Sequence, residues 1–592
     1  MSIATAPGPK RLLAILPSLV LPPSILGAIL TASKQYGIHN LPAWSIVLSC
    51  LLIHPVLLYV NCYIGRFIDQ RAARKEGAIL APLVTDTGMT IISKLQKSFF
   101  KGYPGDVFQD YLEKYGQSVV GFNFFGNKVI YTTEPHHVKA ILATQFESFD
   151  KGATLFSQFG SLLGVGIFNS DGDMWKFHRA MTRPFFTKER ISDFEIYATM
   201  SDKALNLAQA RLAEGYSFDF QDLVGRFTLD AATAFLCGRS VNSLSAGLPY
   251  PPHSTSKNTP LFYNHPSTSF LRAFNEGLNF TALRLGAGDD WPLYEFWKDE
   301  VAECRKEIDG FVEPLIKEAL ERREKKLRSG SSDKFGDGEE NEERTLVEHL
   351  VNHTQDPKIL VDELLNLLVA GRDTTMSLLS YSLYMLIEHP DIEDKLRKEI
   401  LSKVGARAVP TYEALKEMRY TRAFLNGNPL NGRMNNKPVV LESPKGSNEP
   451  PLYVPTGTTM SYSVFHMHRR KDLWGPDALT FDPDRFLDSR LHTYLTPNPY
   501  IFCPFNAGPR ICLGQQFAYH EATFFLVKLL QRFAHFRLDE TKGVGVRPPE
   551  TWKGVEGPQG TDRVMPHTTL TMSIKGGLWI TMDELKVDDI EA

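Results

Sequence analysis

Phe505, Gly508, Arg510, Cys512 and Gly514 fall within ten residues, FNAGPRICLG, in which a single thiol is fenced by two glycines, a proline and a guanidinium. The thiolate is the form of cysteine that binds a metal. Helical pattern resumes just after it in LGQQFAYHEATFFLVKLLQRF, so Cys512 sits at or just before a helix amino terminus. Unpaired N–H groups and the positive end of the helix dipole lower a thiol's pKa there. Gly508 and Gly514 let the backbone turn tightly and something flat lie close above it. A lone cysteine is more often a buried structural one, so the frame around this one carries the argument. The other five, Cys50, Cys62, Cys237, Cys304 and Cys503, show no CxxC spacing, which argues against a disulfide framework and a zinc site and for reduced thiols.

Two further groupings could do chemistry. AGRDTT, Ala370 to Thr375, sets an acid and two hydroxyls halfway along a long apolar pattern. A glycine inside a helix costs about 1 kcal/mol, and a threonine hydroxyl can bond the carbonyl four residues back. Gly371 with Thr374 is therefore expected to loosen the helix where a ligand must fit. WKFHR places Trp175 and Arg179 four residues apart, on one helix face, where the planar cation suits a carboxylate.

The elements that must position these residues belong to a large chain. Its 592 residues are 43% hydrophobic and 22% charged, with 65 Lys and Arg against 68 Asp and Glu. Such a chain buries a sizeable core, and its net charge of −3 provides no field for nucleic acid. After Pro82 it reads as one long mixed domain dominated by helical patterns. The clearest runs from Ile359 to His389, is apolar around most of its circumference and ends at Pro390. At about 45 Å it must cross the core. Ser243 to Ser269, rich in Pro and Ser, and Arg323 to Arg344, rich in charge and Gly, read as surface insertions that carry no chemistry. HTTLTMSIKGGLWITM, with its Gly-Gly break, suggests a hairpin near the end.

The amino terminus is of another kind. Leu12 to Thr31 is 20 uncharged residues, long enough to cross a hydrocarbon core of about 30 Å, and Leu41 to Ile64 is similar. Lys10 and Arg11 precede the first, and Arg66, Arg71, Arg74 and Lys75 follow the second, so the positive-inside bias places both flanks in the cytosol. A hairpin anchor is expected. Pro17, Pro22 and Pro23 weaken the first span, so one span plus a dipping segment is the alternative.

The pattern F-x-x-G-x-R-x-C-x-G resembles the haem-binding signature of the cytochrome P450 monooxygenases, in which the cysteine thiolate is the axial ligand of haem iron. The resemblance implies that Cys512 holds the iron of haem b, iron protoporphyrin IX, framed by Phe505, Gly508, Arg510 and Gly514. It makes AGRDTT the oxygen-activating motif: Ala370 and Gly371 line the haem, Asp373 is the proton gate and Thr374 the hydrogen-bond donor. Trp175, Arg179, Arg433 and Arg510 match residues that bind the haem propionates. WGPDALTFDPDRF, Trp474 to Phe486, resembles the meander, with Arg485 its structural arginine. The implied fold is mainly α with small β-sheets (α+β), preceded by transmembrane helices: residues 1–80 as anchor and 81–592 as catalytic domain. No fused flavin region is present in the sequence, so electrons are expected from NADPH-cytochrome P450 reductase, with cytochrome b5 as a second partner. The expected site is the endoplasmic reticulum membrane, catalytic domain facing the cytosol. The catalytic region looks most like fungal alkane and fatty-acid hydroxylases, which implies O2 and a small apolar substrate, with a sterol, aromatic or xenobiotic as the alternative. The apolar walls are expected around Ala370, from Phe156 to Ile167 and from Met572 to Leu578.

One family element is missing. The family carries Glu-x-x-Arg between the long helix and the meander, and its side chains lock onto the meander arginine. The corresponding stretch here, MRYTRAFLNGNPLNGRMNNKPVVL from Met418 to Leu441, has none, as though a short segment were cut from it. Glu413 with Lys416 is no replacement, because lysine lacks the planar fork. Either a splice difference or internal deletion removed the segment, or the protein is a true variant. In a variant Arg485 is expected to lack its partners, an uncompensated buried cation that costs several kcal/mol. A membrane-bound haem protein without turnover is the corresponding second reading.

Overall fold

The computed structural model describes residues 6–124, 126–187, 194–328, 345–425, 430–443 and 449–585. Two long helices come first, α1 (Pro7–Gln35) and α2 (Ala43–Lys75), both apolar enough to cross a membrane. Pro17, Pro22 and Pro23 lie within α1 without breaking it. The helices lie against each other, and the His54 ring Nε2 is 2.7 Å from the Leu19 carbonyl oxygen.

The helices that position the site are α3 (Gly172–Thr182), α4 (Phe220–Cys237), α5 (Glu300–Arg328), α6 (Pro357–Glu388), a short α7 (Arg419–Phe424) and α8 (Gln515–Arg532). The expected long helix is α6. Asp356 caps it by accepting from the N–H groups of Lys358 (2.9 Å) and Ile359, Pro357 opens it, and it closes at His389 before Pro390. It crosses the core between α4 and α8: Leu223, Phe227, Leu379, Leu383, Phe525 and Leu529 are all buried in one cluster.

Among the described residues, four small sheets flank this core. In the five-stranded one, β1 (Val119–Phe124), β2 (Asn127–Thr132) and β3 (Phe149–Asp150) join two later strands, Leu430–Asn435 and Thr459–Ser463. Its one parallel pairing runs between β2 and Thr459–Ser463.

Two expectations are corrected here. The Gly-Gly break is not the turn of the terminal hairpin. Pro566–Thr568 pairs with Met572–Ile574, and Gly576 and Gly577, both at positive φ, then hand the chain to Trp579–Glu584, which pairs with Phe533–Leu538 and Phe218–Asp219. A Cβ on Gly577 would lie 2.2 Å from the Asp219 carboxylate, so the second glycine serves a close approach to the strand that Trp579 pairs with. The stretch 243–269 is no surface loop at its start. Ser243 and Leu244 are buried, and Asp230 accepts from their N–H groups at 2.6 and 3.0 Å. Of the charged stretch 323–344, α5 takes the residues up to Arg328, and the remainder lies outside the described residues.

Candidate active site

Cys512 lies three residues before α8, in a loop closed by its own N–H donating to the Phe505 carbonyl at 3.0 Å. Gly508 is required there: its φ is +66°, and a Cβ would fall 1.9 Å from the Leu142 carbonyl oxygen. Gly514 is different. Its φ is −85°, it caps α8, and a Cβ would meet only Phe186 at 3.8 Å, so the tight turn expected of it is absent. The thiol also departs from expectation. The residue is exposed to open space on one side, yet the protein packed around its sulfur raises the thiol's pKa by desolvation, outweighing the Gly514 N–H and the Arg179 charge, which lower it.

Thr374 is exposed although its neighbours Asp373 and Thr375 are buried, and its hydroxyl donates to the Ala370 carbonyl at 2.6 Å. The loosening expected at Gly371 does not occur: α6 is continuous through it, and the space beside Gly371 is open apart from Ala232 at 3.8 Å. Asp373 is 1% exposed and paired with Arg372. Burial raises its pKa against that arginine. The motif thus turns its threonine to open space and its acid into the core.

Four cations gather on the other side of the cysteine. Arg179 donates to the Ile511 carbonyl at 3.0 Å. Arg510 donates to Asp171 at 2.5 Å and lies over the Trp175 ring at 4.5 Å, closer than Arg179 at 5.7 Å. Arg433 is buried. The fourth, Lys151, was not anticipated. Burial, with the charges of Arg433 and Arg510, holds its ammonium well below the usual lysine range, and Asp171 is the one carboxylate that opposes this. Only FDKG in the sequence pointed to it, and a single lysine after an acid carries no signal by itself. The Trp175 indole N–H donates to nothing among the described residues.

A cluster with this excess of positive charge suits a ligand with two carboxylates, and the one accessible thiol beside it suits iron. The residues present therefore fit haem.

A cavity of about 340 Å³ reaches both Thr374 on α6 and Phe505 on the cysteine loop, and continues past Leu378, Met385 and Phe424 to Arg485. Met572 lines it, as expected of the terminal hairpin, but Ala370 and Phe156 to Ile167 do not. At its far end Arg485 is not stranded. Its Nη2 donates to the carbonyls of Asp477 (2.9 Å) and Thr480 (3.0 Å), with the Asp477 carboxylate at 3.5 Å. Backbone oxygens replace part of what Glu-x-x-Arg was expected to supply, so the cost of the missing motif is smaller than foreseen. The replacement is incomplete: Trp474 Nε1, His468 Nε2 and Arg469 Nε, on residues that line the cavity, are buried without hydrogen-bond partners among the described residues. Glu413 and Lys416 are exposed and take no part. Residues 426–429, where the cut falls, lie outside the described residues.

Together, a helical body around one long helix, a lone framed thiol and a cationic rim for carboxylates define a haem-thiolate protein. The family model "Cytochrome P450" matches residues 85–559. Similar proteins include cytochrome P450 52A3-A of Candida maltosa, 35% identical over 70% of this chain and 77% of its own length. Cytochrome P450 monooxygenase himC of Aspergillus japonicus is 37% identical over 70% of each chain. Cytochrome P450 52A12 of Debaryomyces hansenii is 33% identical over 84% of this chain and 93% of its own. The chain belongs to the cytochrome P450 family and is a monooxygenase, an oxidoreductase that works with haem, O2 and a redox partner.

Proposed function

We propose that this protein hydroxylates a long alkyl chain, an alkane or a fatty acid, inserting one atom of O2 and releasing the other as water. NADPH supplies the two electrons through NADPH-cytochrome P450 reductase, with cytochrome b5 as a second donor. The anchor is residues 1–80 and the catalytic domain 81–592, held on the endoplasmic reticulum membrane and facing the cytosol. The observation that carries the reading is one cavity, mostly apolar, that touches both Thr374 and the Cys512 loop. Its continuation along α6 suits an extended chain, and an anchored enzyme meets such chains where they partition, in the bilayer.

Bound haem b supplies the reductive activation of dioxygen. Around it the chain's own residues have separable tasks. Cys512, as thiolate, ligates the iron from the loop that Gly508 shapes. Arg179, Arg433, Arg510 and Lys151 neutralise the propionates, and Trp175 offers its N–H to one of them. Thr374 turns its hydroxyl from the Ala370 carbonyl toward the open side and donates there. Asp373, biased toward its protonated form, exchanges protons with the site as Arg372 gives it up. Ala370 and Gly371 keep the helix surface low enough for a flat ligand.

Reduction of membranes containing the protein under carbon monoxide is the direct test. A Soret band typical of haem thiolate is expected, and Cys512→Ala abolishes it while leaving the anchor in place. Titration with dodecanoate, hexadecane, a sterol and a polycyclic aromatic then reads the spectral shift on binding. The alkyl compounds are expected to produce one. A shift with the sterol or aromatic alone overturns the substrate class but not the haem chemistry. The reading without turnover is disfavoured by the similarity to monooxygenases along most of the chain.

A further inference from the structure

We propose that the Arg485 end of the cavity is a carboxylate-binding subsite, which takes the acid end of a fatty acid whose chain lies along α6. The second clause rests on the hydroxylase reading; the subsite itself rests on the charges around Arg485.

Arg485 stands in the turn Pro483–Phe486, is 9% exposed and lines the same cavity as Thr374. A guanidinium has five N–H groups to place. Here Nη2 alone is engaged, on the carbonyls of Asp477 and Thr480 and, at 3.5 Å, on the Asp477 carboxylate. Nε and Nη1 donate to nothing among the described residues. Carboxylates are near, but they serve other cations. Arg490 pairs with Asp477 at 2.5 Å, Asp482 at 2.6 Å and Asp488 at 2.7 Å, and Lys395 pairs with Asp484 at 2.6 Å. Arg485 is left with the long contact to Asp477. A cation this buried and without a close counter-ion is costly, and an anion that enters the cavity lowers the cost.

The other charged residues on the cavity wall do not fill that role. Asp482 is the one that Arg490 holds, and Asp562 has the charge of Arg469 acting on it. Trp474, a further lining residue at 4% exposure, has an indole N–H that donates to nothing among the described residues. Leu378, Met385, Phe424 and Leu425 supply apolar wall to the same cavity. It follows α6 from Thr374 to Met385, about 16 Å of helix, which gives room for an extended alkyl chain. A fatty acid matches both parts, its tail on the apolar wall and its oxygens taking charge-assisted hydrogen bonds from Arg485. An alkane leaves the guanidinium as it is.

Titration of the full-length holoenzyme with dodecanoate and with dodecan-1-ol at one ionic strength, reading the spectral shift on binding, tests the fatty-acid clause. We expect the acid to bind at least tenfold more tightly. Arg485→Gln, with its carbon monoxide Soret band retained, is expected to lose that preference while its affinity for the alcohol holds. Arg485→Lys, which keeps the charge without the planar fork, is expected to keep part of it. A preference undiminished in Arg485→Gln overturns the assignment to Arg485. The second probe is sodium formate against sodium chloride at equal concentration, which needs neither variant nor substrate. Formate is expected to slow amide hydrogen exchange in residues 477–486 several-fold, and chloride to leave it unchanged. Formate protection with equal binding of acid and alcohol assigns the subsite to a separate small carboxylate and overturns the fatty-acid clause. No preference for the acid and no protection by formate overturns the whole proposal. If Arg485→Gln does not fold, the acid preference and the formate protection of the unaltered protein decide. If the unaltered protein binds no alkyl compound, the hydroxylase reading fails, and formate still judges Arg485.

Discussion

Two effects compete for the thiol of Cys512, and only one is written in the sequence. The signature predicts residue types and a nearby helix start. The burial that raises the thiol's pKa is a property of the assembled loop. Lys151 is illegible for the same reason: its meaning comes from Arg433 and Arg510, which are remote in sequence. Lys151→Met is expected to weaken haem binding about tenfold, roughly 1.4 kcal/mol, measured as faster haem transfer to excess apomyoglobin. Glu521 is a second case. It lies fully buried on α8 beside Thr375, and burial raises its pKa to about 8 from 4.5. The folded protein therefore keeps it protonated at neutral pH, while the unfolded chain ionises. Its contribution to stability is present below pH 4.5, is lost as pH rises, and levels off above about 8. The steepest loss is about 1.4 kcal/mol per pH unit. Glu521→Gln is expected to flatten urea-unfolding midpoints measured from pH 5 to 8; an unchanged slope refutes the assignment.

Among the elements, legibility follows periodicity. The helix α6 was readable to within two residues at its start because an unbroken apolar pattern and the closing Pro390 agree, while its Asp356 cap went unread. The terminal hairpin was misread because a strand's partner is a long-range fact, and two glycines mark a close approach as readily as a turn. The cysteine loop lies between these cases. Sequence treats Gly508 and Gly514 alike, whereas φ and contact distance separate them. Gly508→Ala must force a left-handed backbone and a clash with a carbonyl, each of order 1–3 kcal/mol. A fall in melting temperature with loss of the thiolate Soret band is expected. Gly514→Ala meets only ordinary contact on its protein side, so the melting temperature is expected to hold. Equal melting temperatures for the two variants would falsify the distinction. The missing Glu-x-x-Arg belongs to this scale too. It was visible as an absence, but the Asp477 and Thr480 carbonyls that take its place on Arg485 were not, since backbone acceptors have no sequence signature.

At the scale of the molecule, the anchor and the body touch at the near ends of the hairpin. The Gly8 N–H donates to the Phe296 carbonyl at 2.9 Å, Arg11 pairs with Asp290 at 2.8 Å, and Lys128 pairs with Asp69 at 2.5 Å. Residues 36–42, between α1 and α2, lie at the opposite end of the two helices. The charges that set the expected orientation, Lys10 and Arg11 before α1's apolar run and Arg66 to Lys75 after that of α2, therefore sit at the body's side. A membrane drawn across the apolar middle leaves the catalytic body and both basic flanks on one face, as the positive-inside bias requires. The Arg11–Asp290 pair at that junction is partly exposed, and exposed ion pairs contribute at most about 1 kcal/mol each. Removal of residues 1–75 is thus expected to free the body from membranes without unfolding it. Fractionation should find the truncated protein in the supernatant with its thiolate Soret band intact, and turnover of long alkyl substrates reduced more than that of short soluble ones. Truncated protein that stays membrane-bound would point to a second attachment through exposed apolar residues of the body, of which Met89 and Phe100, at 66% and 50% exposure, are the first to replace.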